Sequence, residues 1–308
     1  MYNFKFILLL IFIIFFTNSS NSQIQIKYKI GDEIITNIDI LNERNYLIFL
    51  RPKLGDLPDN EINKISKNSL IKEIIKKKEL KKVFKKTNDI KYIDKIKQNL
   101  FSYKEVSSEE EFLNLLKKYE LNYDKIIEKI KYEGLWNQLI ITKYVSLIKI
   151  DENKLRNKLI SKNSKEMNFE YNLSEILFEI DENEKFEIKL KEIKNYINSN
   201  NFKSAATKYS ISNSANKGGQ IGWIKETLLS DKLNKILKKL NKNQITDPIK
   251  YPNGYLLLKI NDKKEIKQRF NLDKELEESI IFEKNKQLNQ YSLLYYKKLK
   301  QNTIINEK

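Results

Sequence analysis

The sequence contains no cysteine and no histidine. Without cysteine, the chain can form neither a disulfide nor a thiolate metal site, and it cannot use a cysteine nucleophile or carry a lipid on an N-terminal cysteine. Without histidine, it lacks the commonest metal ligand and the usual general base near neutral pH. Any chemistry must therefore rely on carboxylates, hydroxyls, lysines or an apolar pocket, and we expect no metal and no cofactor.

Arginine is scarce as well, although the chain is strongly basic. Lys and Arg total 58 against 41 Asp and Glu, a net charge of +17, yet only four of the basic residues are arginines. Such a charge can attract nucleic acids or membrane surfaces. The lysines, however, are spread among isoleucines and asparagines along the whole chain, and no nucleic-acid-binding motif accompanies them. We therefore interpret the charge as a composition bias and expect no nucleic-acid partner.

Glycine and proline are few and unevenly distributed. Beyond residue 60, Gly134 stands alone, and the others are Gly218, Gly219, Gly222, Pro248, Pro252 and Gly254. Because these residue types mark turns, their clustering indicates a turn-rich mixed α/β unit. This unit begins near Asn168 and is inserted into a helical protein.

The chain starts with a weakly positive segment and an apolar run at residues 6–16. The run is too short to cross a bilayer, which needs about 20 apolar residues, but it has the length of the apolar part of a signal peptide. Ser20 and Ser22 supply the small residues that a cleavage site needs. We therefore predict a signal peptide over residues 1–22, a mature chain that begins near Gln23, and no stable membrane span after cleavage. The alternative is an uncleaved N-terminal membrane anchor.

The mature chain up to about residue 165 has the pattern of helices that follow a short hairpin. Residues 24–35 alternate apolar and polar side chains around a turn, as a hairpin does. After them, apolar residues recur at spacings of three and four, which is typical of amphipathic helices. Ser108, with Glu111 three positions later, predicts a capping box at the start of one of these helices.

The helical pattern returns in the C-terminal part of the chain. Residues 272–299 predict a long amphipathic helix with many charged neighbours. A lone helix of this kind would leave its apolar stripe in water. We therefore expect it to pack on the N-terminal helices, so that both ends of the chain form one helical domain.

Between the two helical parts, the pattern predicts a mixed unit. Its expected elements are a strand at 169–179, helices near 183–199 and 202–209, a glycine turn and strand at 218–225, a helix at 231–240, and strands near 246–249 and 254–262.

Three segments of this unit resemble the parvulin (PpiC-type) rotamase domain in their order and spacing. They run from Asn172 to Phe178, from Phe202 to Trp223 with a Gly-Gly-x-x-Gly-Trp motif, and from Asp247 to Ile260 with a Gly-Tyr-Leu-Leu-Leu motif. The paired glycines allow a tight turn with positive φ. The resemblance implies a parvulin-like βαααβαββ domain and a peptidyl-prolyl cis-trans isomerase fold.

The whole mature chain is further similar to the SurA group of periplasmic chaperones, with one parvulin domain where the best-known members carry two. The resemblance implies an α+β fold class, in which a helical chaperone domain carries one inserted parvulin-like domain. It divides the chain into a signal peptide (1–22), an N-terminal helical domain (23–166), the parvulin-like domain (167–264) and a C-terminal helix (265–308) packed on the N-terminal domain.

The resemblance also assigns a substrate-binding pocket. Leu229 and Leu233 fall on the family's apolar pocket positions, with Trp223 nearby. Leu256 stands where the last strand of the family usually has a histidine. We therefore expect Trp223, Leu229, Leu233 and Leu256 to contact substrate.

The family's polar cluster is altered in this chain. Glu175 stands where the first strand usually has a histidine after a serine, and the Asp and Cys/Ser positions that follow the second helix are Ile211 and Ser212. Glu175 and Ser212 are thus the catalytic candidates by position, with no metal. The alternative for Glu175 is a solvated or salt-bridged strand residue. Because three of the four polar positions differ, the resemblance implies weak or lost isomerase activity.

The function implied by the resemblance is that of a periplasmic folding factor. Its expected partners are unfolded or extended polypeptide clients, in particular outer-membrane β-barrel precursors, bound in a groove between the helical domain and the parvulin-like unit. One alternative is an active peptidyl-prolyl isomerase that acts on exported proteins. Another is a membrane-tethered foldase, if the N-terminal run is retained.

Overall fold

The computed structural model describes residues 23–84, 93–162, 168–180, 184–251, 254–266 and 271–308. Within these ranges, no helix combines the length and the apolar character needed to cross a membrane. The predicted signal peptide and the predicted domain boundary at 166/167 lie outside the described residues.

The elements of the chain fall into three groups. The first group is β1 (Ile26–Ile30), β2 (Glu33–Thr36), α1 (Asn37–Leu50), α2 (Asp59–Val83), α3 (Ile93–Tyr103), α4 (Glu109–Lys118), α5 (Tyr123–Tyr144) and α6 (Glu152–Lys162). The middle group is β3 (Asn168–Phe178), α7 (Phe186–Ser199), α8 (Phe202–Tyr209), β4 (Gln220–Lys225), α9 (Asp231–Lys238), β5 (Ile249–Tyr251) and β6 (Gly254–Ile266). The last group is α10 (Leu272–Gln301) and β7 (Ile305–Glu307).

The N- and C-terminal groups meet in a small antiparallel sheet. β1 and β2 form the predicted hairpin, and Gly31 between them has a φ of 60°, which glycine adopts at little cost. β7 pairs with the free edge of β1, so the strand order is β2-β1-β7. The two ends of the described chain are therefore joined by backbone hydrogen bonds.

The predicted cap of α4 is present in a modified form. The Ser108 hydroxyl accepts a hydrogen bond from the backbone N–H of Glu111 at 3.1 Å. The Glu111 carboxylate reaches back to the backbone N–H of Ser107 at 2.8 Å, one residue before the position that a standard capping box uses.

The C-terminal helix α10 packs on the N-terminal helices, which confirms the expected partner. Tyr291 of α10 stacks on Tyr144 of α5 with ring centroids 4.7 Å apart. The Trp136 ring stacks on that of Tyr295 at 5.8 Å. Both ends of the chain thus contribute to one apolar helical core that includes Leu80 and Leu288.

The middle group confirms the predicted mixed unit. Its sheet is antiparallel throughout, with strand order β4-β3-β6-β5, and β3 pairs with β6 from Asn168 opposite Ile266 to Phe178 opposite Tyr255. The helix predicted at 231–240 is α9, and the third helix of the βαααβαββ order that the family resemblance implied is a 3₁₀ turn, Asn213–Lys217. The predicted domain boundary at 264/265 falls inside β6, and the domain limits remain predictions.

The fifth strand differs from its predicted position. It was expected near 246–249, whereas β5 is Ile249–Tyr251. Pro248 has no N–H for the ladder, and the Thr246 hydroxyl accepts the backbone N–H of Leu258 at 3.0 Å, in place of a backbone carbonyl. The ladder is therefore interrupted just where the sequence predicted a strand.

The two faces of β3 belong to different cores. Phe178 packs in a buried cluster that includes Leu47 of α1 and Ile62 of α2, as well as side chains of α7 and α8. Leu173 and Leu177 face a second buried cluster. The mixed unit is therefore docked on the N-terminal helices through a shared apolar core on one face, while its other face holds the candidate site.

Candidate functional site

Glu175 lies in the middle of β3, on the face of the second cluster. Its side chain shares this face with Leu173 and Leu177, and it stands opposite Leu258 of β6. Its backbone N–H donates to the carbonyl of Gly219 at 2.8 Å. A Cβ on Gly219 would lie 2.2 Å from the Glu175 carbonyl oxygen, and φ at Gly219 is +76°. The close approach of turn and strand therefore requires a glycine at this position.

Two serine hydroxyls hold the Glu175 carboxylate. Ser212 Oγ donates to Oε1 at 2.5 Å, and Ser214 Oγ donates to the same oxygen at 2.8 Å. Ser212 Oγ also accepts the backbone N–H of Ser214 at 3.3 Å, at the start of the 3₁₀ turn. The structure thus brings the two catalytic candidates into direct contact. Glu175 forms no ion pair within the described residues, so the salt-bridged alternative does not apply to them.

The loop that supplies these hydroxyls is organised by a third serine. Ser210 Oγ accepts the backbone N–H groups of Leu177 at 3.1 Å and of Ser212 at 3.3 Å. Sequence reasoning selected Ser212 and missed Ser210 and Ser214. The signal was the alternation of serine at 210, 212 and 214, because short hydroxyl side chains hydrogen-bond to nearby backbone in turns.

The chemistry open to this cluster is limited. An ionised carboxylate can only accept hydrogen bonds, and both serine bonds reach Oε1 of Glu175. Within the described residues, Oε2 is the free acceptor, and it can receive one N–H of a bound peptide. The cluster offers no ring nitrogen to donate or transfer a proton.

The three pocket leucines lie together. Leu229, Leu233 and Leu256 belong to the second cluster, in which Leu256 stands opposite Leu177 on the face that also carries Glu175. Leu229 and Leu256 are only 4% and 5% exposed, while Leu233 is half-buried. The candidate pocket is therefore a packed apolar core beside the carboxylate cluster.

Trp223 lies apart from these leucines. It lies on β4 opposite Asn172 of β3, while the next residue of β4, Ile224, packs in the second cluster. Since successive side chains of a strand point to opposite faces, the Trp223 ring faces away from the pocket. It is 44% exposed, and Lys264 Nζ lies 4.4 Å from its ring centroid.

The C-terminal helix α10 packs on the second cluster, which contains the three pocket leucines and is called the leucine cluster below. Phe282 and Leu293 of α10 pack against it. Polar contacts flank this packing: Asn213 Nδ2 donates to Asn289 Oδ1 at 3.3 Å, and Thr227 Oγ1 donates to a Glu275 carboxylate oxygen at 3.1 Å. The covering helix comes from a distant part of the chain, so the local motifs of the mixed unit carry no sign of it.

A cleft of about 340 Å³ opens between the N-terminal helices, the α8 end of the mixed unit and α10. Its volume lies within the range of typical ligand pockets. Apolar and aromatic side chains contribute much of the wall: Tyr46, Leu47, Leu50, Ile65, Ile71, Tyr132, Tyr209, Ile211, Leu293, Leu294 and Tyr296. Ile211 also packs against the leucine cluster, so the cleft and the candidate pocket are neighbours.

Buried ion pairs line one side of the cleft. Lys129 of α5 pairs with Glu43 of α1 at 2.6 Å and with Glu73 of α2. Burial acts in the opposite direction, but the ammonium groups of Lys129 and Lys77 hold the pKa of Glu73 below its usual value. These pairs tie α1, α2 and α5 together behind the cleft.

Lys72 and Lys76 occupy successive turns of α2 on the cleft wall. Lys76 pairs with Glu133 of α5 at 3.3 Å, and it lowers the pKa of the Glu133 carboxyl. Lys72 forms no ion pair in the described part of the chain, and its Nζ lies 5.7 Å from the Tyr296 ring centroid. Burial and the neighbouring Lys76 ammonium lower the pKa of Lys72 to about 8. Among the described residues, no group of three or more acidic side chains is arranged to hold a metal ion.

The middle of the chain matches a known protein family. Residues 175–262 match the Rotamase family, described as the PPIC-type PPIASE domain. The matched range starts at Glu175 and ends within β6, so it contains both halves of the candidate site. The chain therefore carries a PpiC-type rotamase domain.

Whole-chain similarity extends to chaperones and foldases. The Chaperone SurA of Buchnera aphidicola (from Schizaphis graminum) is 25% identical over 312 residues, which cover 94% of this chain and 68% of that protein. The Chaperone SurA of Pseudomonas putida is 28% identical over 163 residues, which cover 50% of this chain and 38% of that protein. The Foldase protein PrsA of a Geobacillus species is 26% identical over 267 residues, which cover 86% and 80% of the two chains. The chain thus spans less than half of the Pseudomonas relative, and these similarities support a role in protein folding.

Proposed function

We propose that this protein is a periplasmic folding factor that holds unfolded exported proteins, in particular outer-membrane β-barrel precursors, and that its PpiC-type domain has weak or no isomerase activity. The observation that carries the proposal is the contrast between two neighbouring sites. The leucine pocket of the rotamase domain is packed beneath α10, whereas the cleft beside it is open.

The closed pocket argues against efficient isomerisation. Rotation about an X-Pro bond must lower a barrier of about 18–20 kcal/mol, and the family relies on an apolar proline pocket beside a polar cluster. Here Phe282 and Leu293 of α10 pack against the buried cluster that contains Leu229 and Leu256. The polar cluster consists of the Glu175 carboxylate and two serine hydroxyls that donate to it. It contains no histidine that could lie beside the X-Pro bond of a substrate.

The open cleft supports client binding. Precursors of β-barrels expose apolar faces and unpaired strand edges, and they aggregate unless these are covered. Tyrosine, leucine and isoleucine side chains on the cleft wall can cover such segments, and aromatic residues contribute strongly to binding surfaces. The proposed clients are therefore extended, aromatic-rich segments of unfolded chains.

The periplasmic location rests on the apolar run at residues 6–16 and the small residues at 20–22. A cleaved signal peptide would release residues 23–308 into the periplasm. N-terminal sequencing of the native protein tests this point. A start near Gln23 supports release, and an intact Met1 supports the membrane-tethered alternative.

Two assays on the mature chain test the proposed function. The first follows light scattering when an unfolded β-barrel protein is diluted into buffer, and we expect strong suppression of aggregation by stoichiometric amounts of the mature chain. The second is a protease-coupled prolyl isomerisation assay, in which we expect little acceleration over the uncatalysed rate. Glu175→Ala should leave both results unchanged.

An active isomerase is the second candidate function, because Glu175, Ser212 and Ser214 form an ordered hydrogen-bonded cluster beside an apolar pocket. Clear catalysis that is lost in Glu175→Ala or Leu229→Ala would establish this candidate in place of the first. Absence of both catalysis and aggregation suppression would contradict the two functions together.

A further inference from the structure

Some lysines of the cleft form ion pairs with carboxylates, and others do not. Among the residues that the structure describes, six lysines and four glutamates line the cleft. Besides Lys76 and Lys129, Lys208 pairs with Glu61 at 2.9 Å and Lys297 pairs with Glu179. In the described part of the chain, Lys72 and Lys300 have no carboxylate within ion-pair distance. The cleft therefore carries an excess of positive charge, concentrated on two lysines.

Lys72 is the better placed of these two for a ligand. Lys300 is exposed at the end of α10, whereas Lys72 is half-buried between Tyr296 of α10 and Lys76 on its own helix. An ammonium that loses hydration with no carboxylate at ion-pair distance is costly, even though the Glu133 carboxylate, paired with Lys76, lies near enough to offset part of the cost. The depressed pKa of Lys72 agrees with this cost. A bound anion at ion-pair distance from Lys72 would supply the direct partner that the described residues do not.

The surroundings restrict what kind of anion fits. Tyrosines and aliphatic side chains, among them Tyr132, Ile71 and Leu293, form much of the wall of the cleft that Lys72 lines. A highly charged, fully hydrated anion such as a phosphate group would have to lose its hydration against this apolar wall. A carboxylate on a peptide can instead reach the ammonium while neighbouring apolar side chains cover the wall.

We propose that the cleft recognises a carboxylate of the client at Lys72, so that preferred client segments are extended chains in which a carboxylate stands beside aromatic residues. This inference rests on the proposed client-binding function and adds a chemical selectivity to it. The carboxylate can be an Asp or Glu side chain or a free C-terminus, since both present the same group.

Three labelled peptides separate these sources. The first has a glutamate between aromatic residues and an amidated C-terminus, the second replaces the glutamate by glutamine, and the third is the glutamine peptide with a free C-terminus. Fluorescence polarisation with the mature chain, at physiological ionic strength, gives the three affinities. We expect one or both carboxylate peptides to bind about tenfold more tightly than the neutral peptide, as a charge-assisted hydrogen bond allows.

Protein variants test the role of Lys72 itself. Lys72→Met should reduce the affinity for carboxylate peptides to that for the neutral peptide, and Lys72→Arg should retain most of the preference. Lys64→Met is the matched control, because Lys64 is an exposed lysine of the same helix that does not line the cleft. Measuring a carboxylate peptide and the neutral peptide with the unmodified chain and with Lys72→Met forms a double-mutant cycle, which isolates the interaction energy between Lys72 and the peptide carboxylate.

Equal binding of all three peptides by the unmodified chain would overturn the inference without any variant. Equal losses in Lys72→Met and Lys64→Met would also overturn it, since they would point to general attraction by a basic surface. In both cases continued aggregation suppression would leave the proposed function standing. If no peptide binds and aggregation is not suppressed, the proposed function fails as well.

Discussion

The indole Nε1 of Trp136 in α5 donates a hydrogen bond to the Oγ of Ser292 in α10 across 2.9 Å. Both side chains are buried, although the two residues lie on opposite sides of the inserted mixed unit in the sequence. This contact, together with the stacking of Trp136 on Tyr295, joins the two ends of the chain into one helical core.

Loss of this contact should destabilise the helical core. Trp136→Ala removes a side chain that is 1% exposed, and a substitution of this kind costs about 3–5 kcal/mol. Ser292→Ala leaves the buried indole N–H without its acceptor, at a cost of about 1–3 kcal/mol. Urea unfolding of the mature chain measures both values. Ile281→Ala, at an exposed position of the same helix, is the control and should change stability by less than about 0.5 kcal/mol.

Weakening the packing of α10 should expose the leucine pocket. Phe282 packs on the leucine cluster, whereas its neighbour Ile281 is 51% exposed. If Phe282→Ser weakens this packing by about 1.4 kcal/mol, the population with an open pocket rises about tenfold. We expect greater binding of a hydrophobic dye and a measurable rise in prolyl isomerisation for Phe282→Ser, but not for Ile281→Ser. Identical behaviour of the two variants would show that α10 does not control access.

The carboxylate cluster should contribute to stability whatever its catalytic role. Glu175→Ala leaves the Ser212 and Ser214 hydroxyls without their common acceptor, and we expect a loss of about 1–3 kcal/mol in the free energy of unfolding. Ser214→Ala, which removes one of the two donors, should cost less. The comparison is made by denaturant unfolding, and a Glu175→Ala variant as stable as the unmodified chain would mean that solvent replaces the cluster.

The free energy of unfolding should fall at acid pH as Glu73 and Glu133 lose their charge. Glu73 and Glu133 both have pKa values held below the usual range by neighbouring lysines. A carboxyl with a lower pKa in the folded state stabilises the fold above the unfolded value of about 4.3, and this contribution disappears as the pH falls through the folded pKa. Urea unfolding between neutral and acid pH should therefore show a steeper loss for the unmodified chain than for Glu73→Gln. Glu110→Gln, at an exposed position, should leave the slope unchanged.

Binding of carboxylate peptides should weaken in alkaline solution. Lys72 binds an anion only while protonated, and its pKa in the free protein is about 8. The charged and titratable groups around it are Lys76 of its own helix, Glu133 of α5 and Tyr296 of α10, and Lys300 of α10 lines the same cleft. Above pH 8 the affinity should fall by about tenfold in all, to that of the neutral peptide, whereas the neutral peptide should bind equally throughout. A pH-independent preference for the carboxylate peptide would assign its recognition to a group other than Lys72.

Local sequence patterns were sufficient for most of the elements. The hairpin around Gly31, the cap at Ser108 and the order of the mixed unit could be read because each depends on residues close together in the chain. The displaced strand β5 shows where local sequence patterns no longer predict the structure. The Thr246 hydroxyl replaces a backbone carbonyl there, a choice that depends on Leu258 in another strand.

The site was only partly predictable. Glu175 and Ser212 were paired by family position, and their contact at 2.5 Å agrees with that pairing. Trp223 was grouped with the leucines because it is near them in sequence, but strand alternation turns it to the other face. The packing of Phe282 on the second cluster, and the position of Lys72 with no ion-pair partner among the described residues, had no local signature at all.

The sequence by itself thus determined most of the helices and strands, the rotamase-like motifs and the apolar stripe of α10. Only the tertiary structure decided that this stripe packs on the leucine pocket, and that a cleft opens beside it in which Lys72 has no ion-pair partner among the described residues. The reason is physical: periodicity in a chain records which faces must leave water, but not which distant face covers them. The compensation of a charge likewise depends on neighbours that folding brings together from α1, α2, α5 and α10.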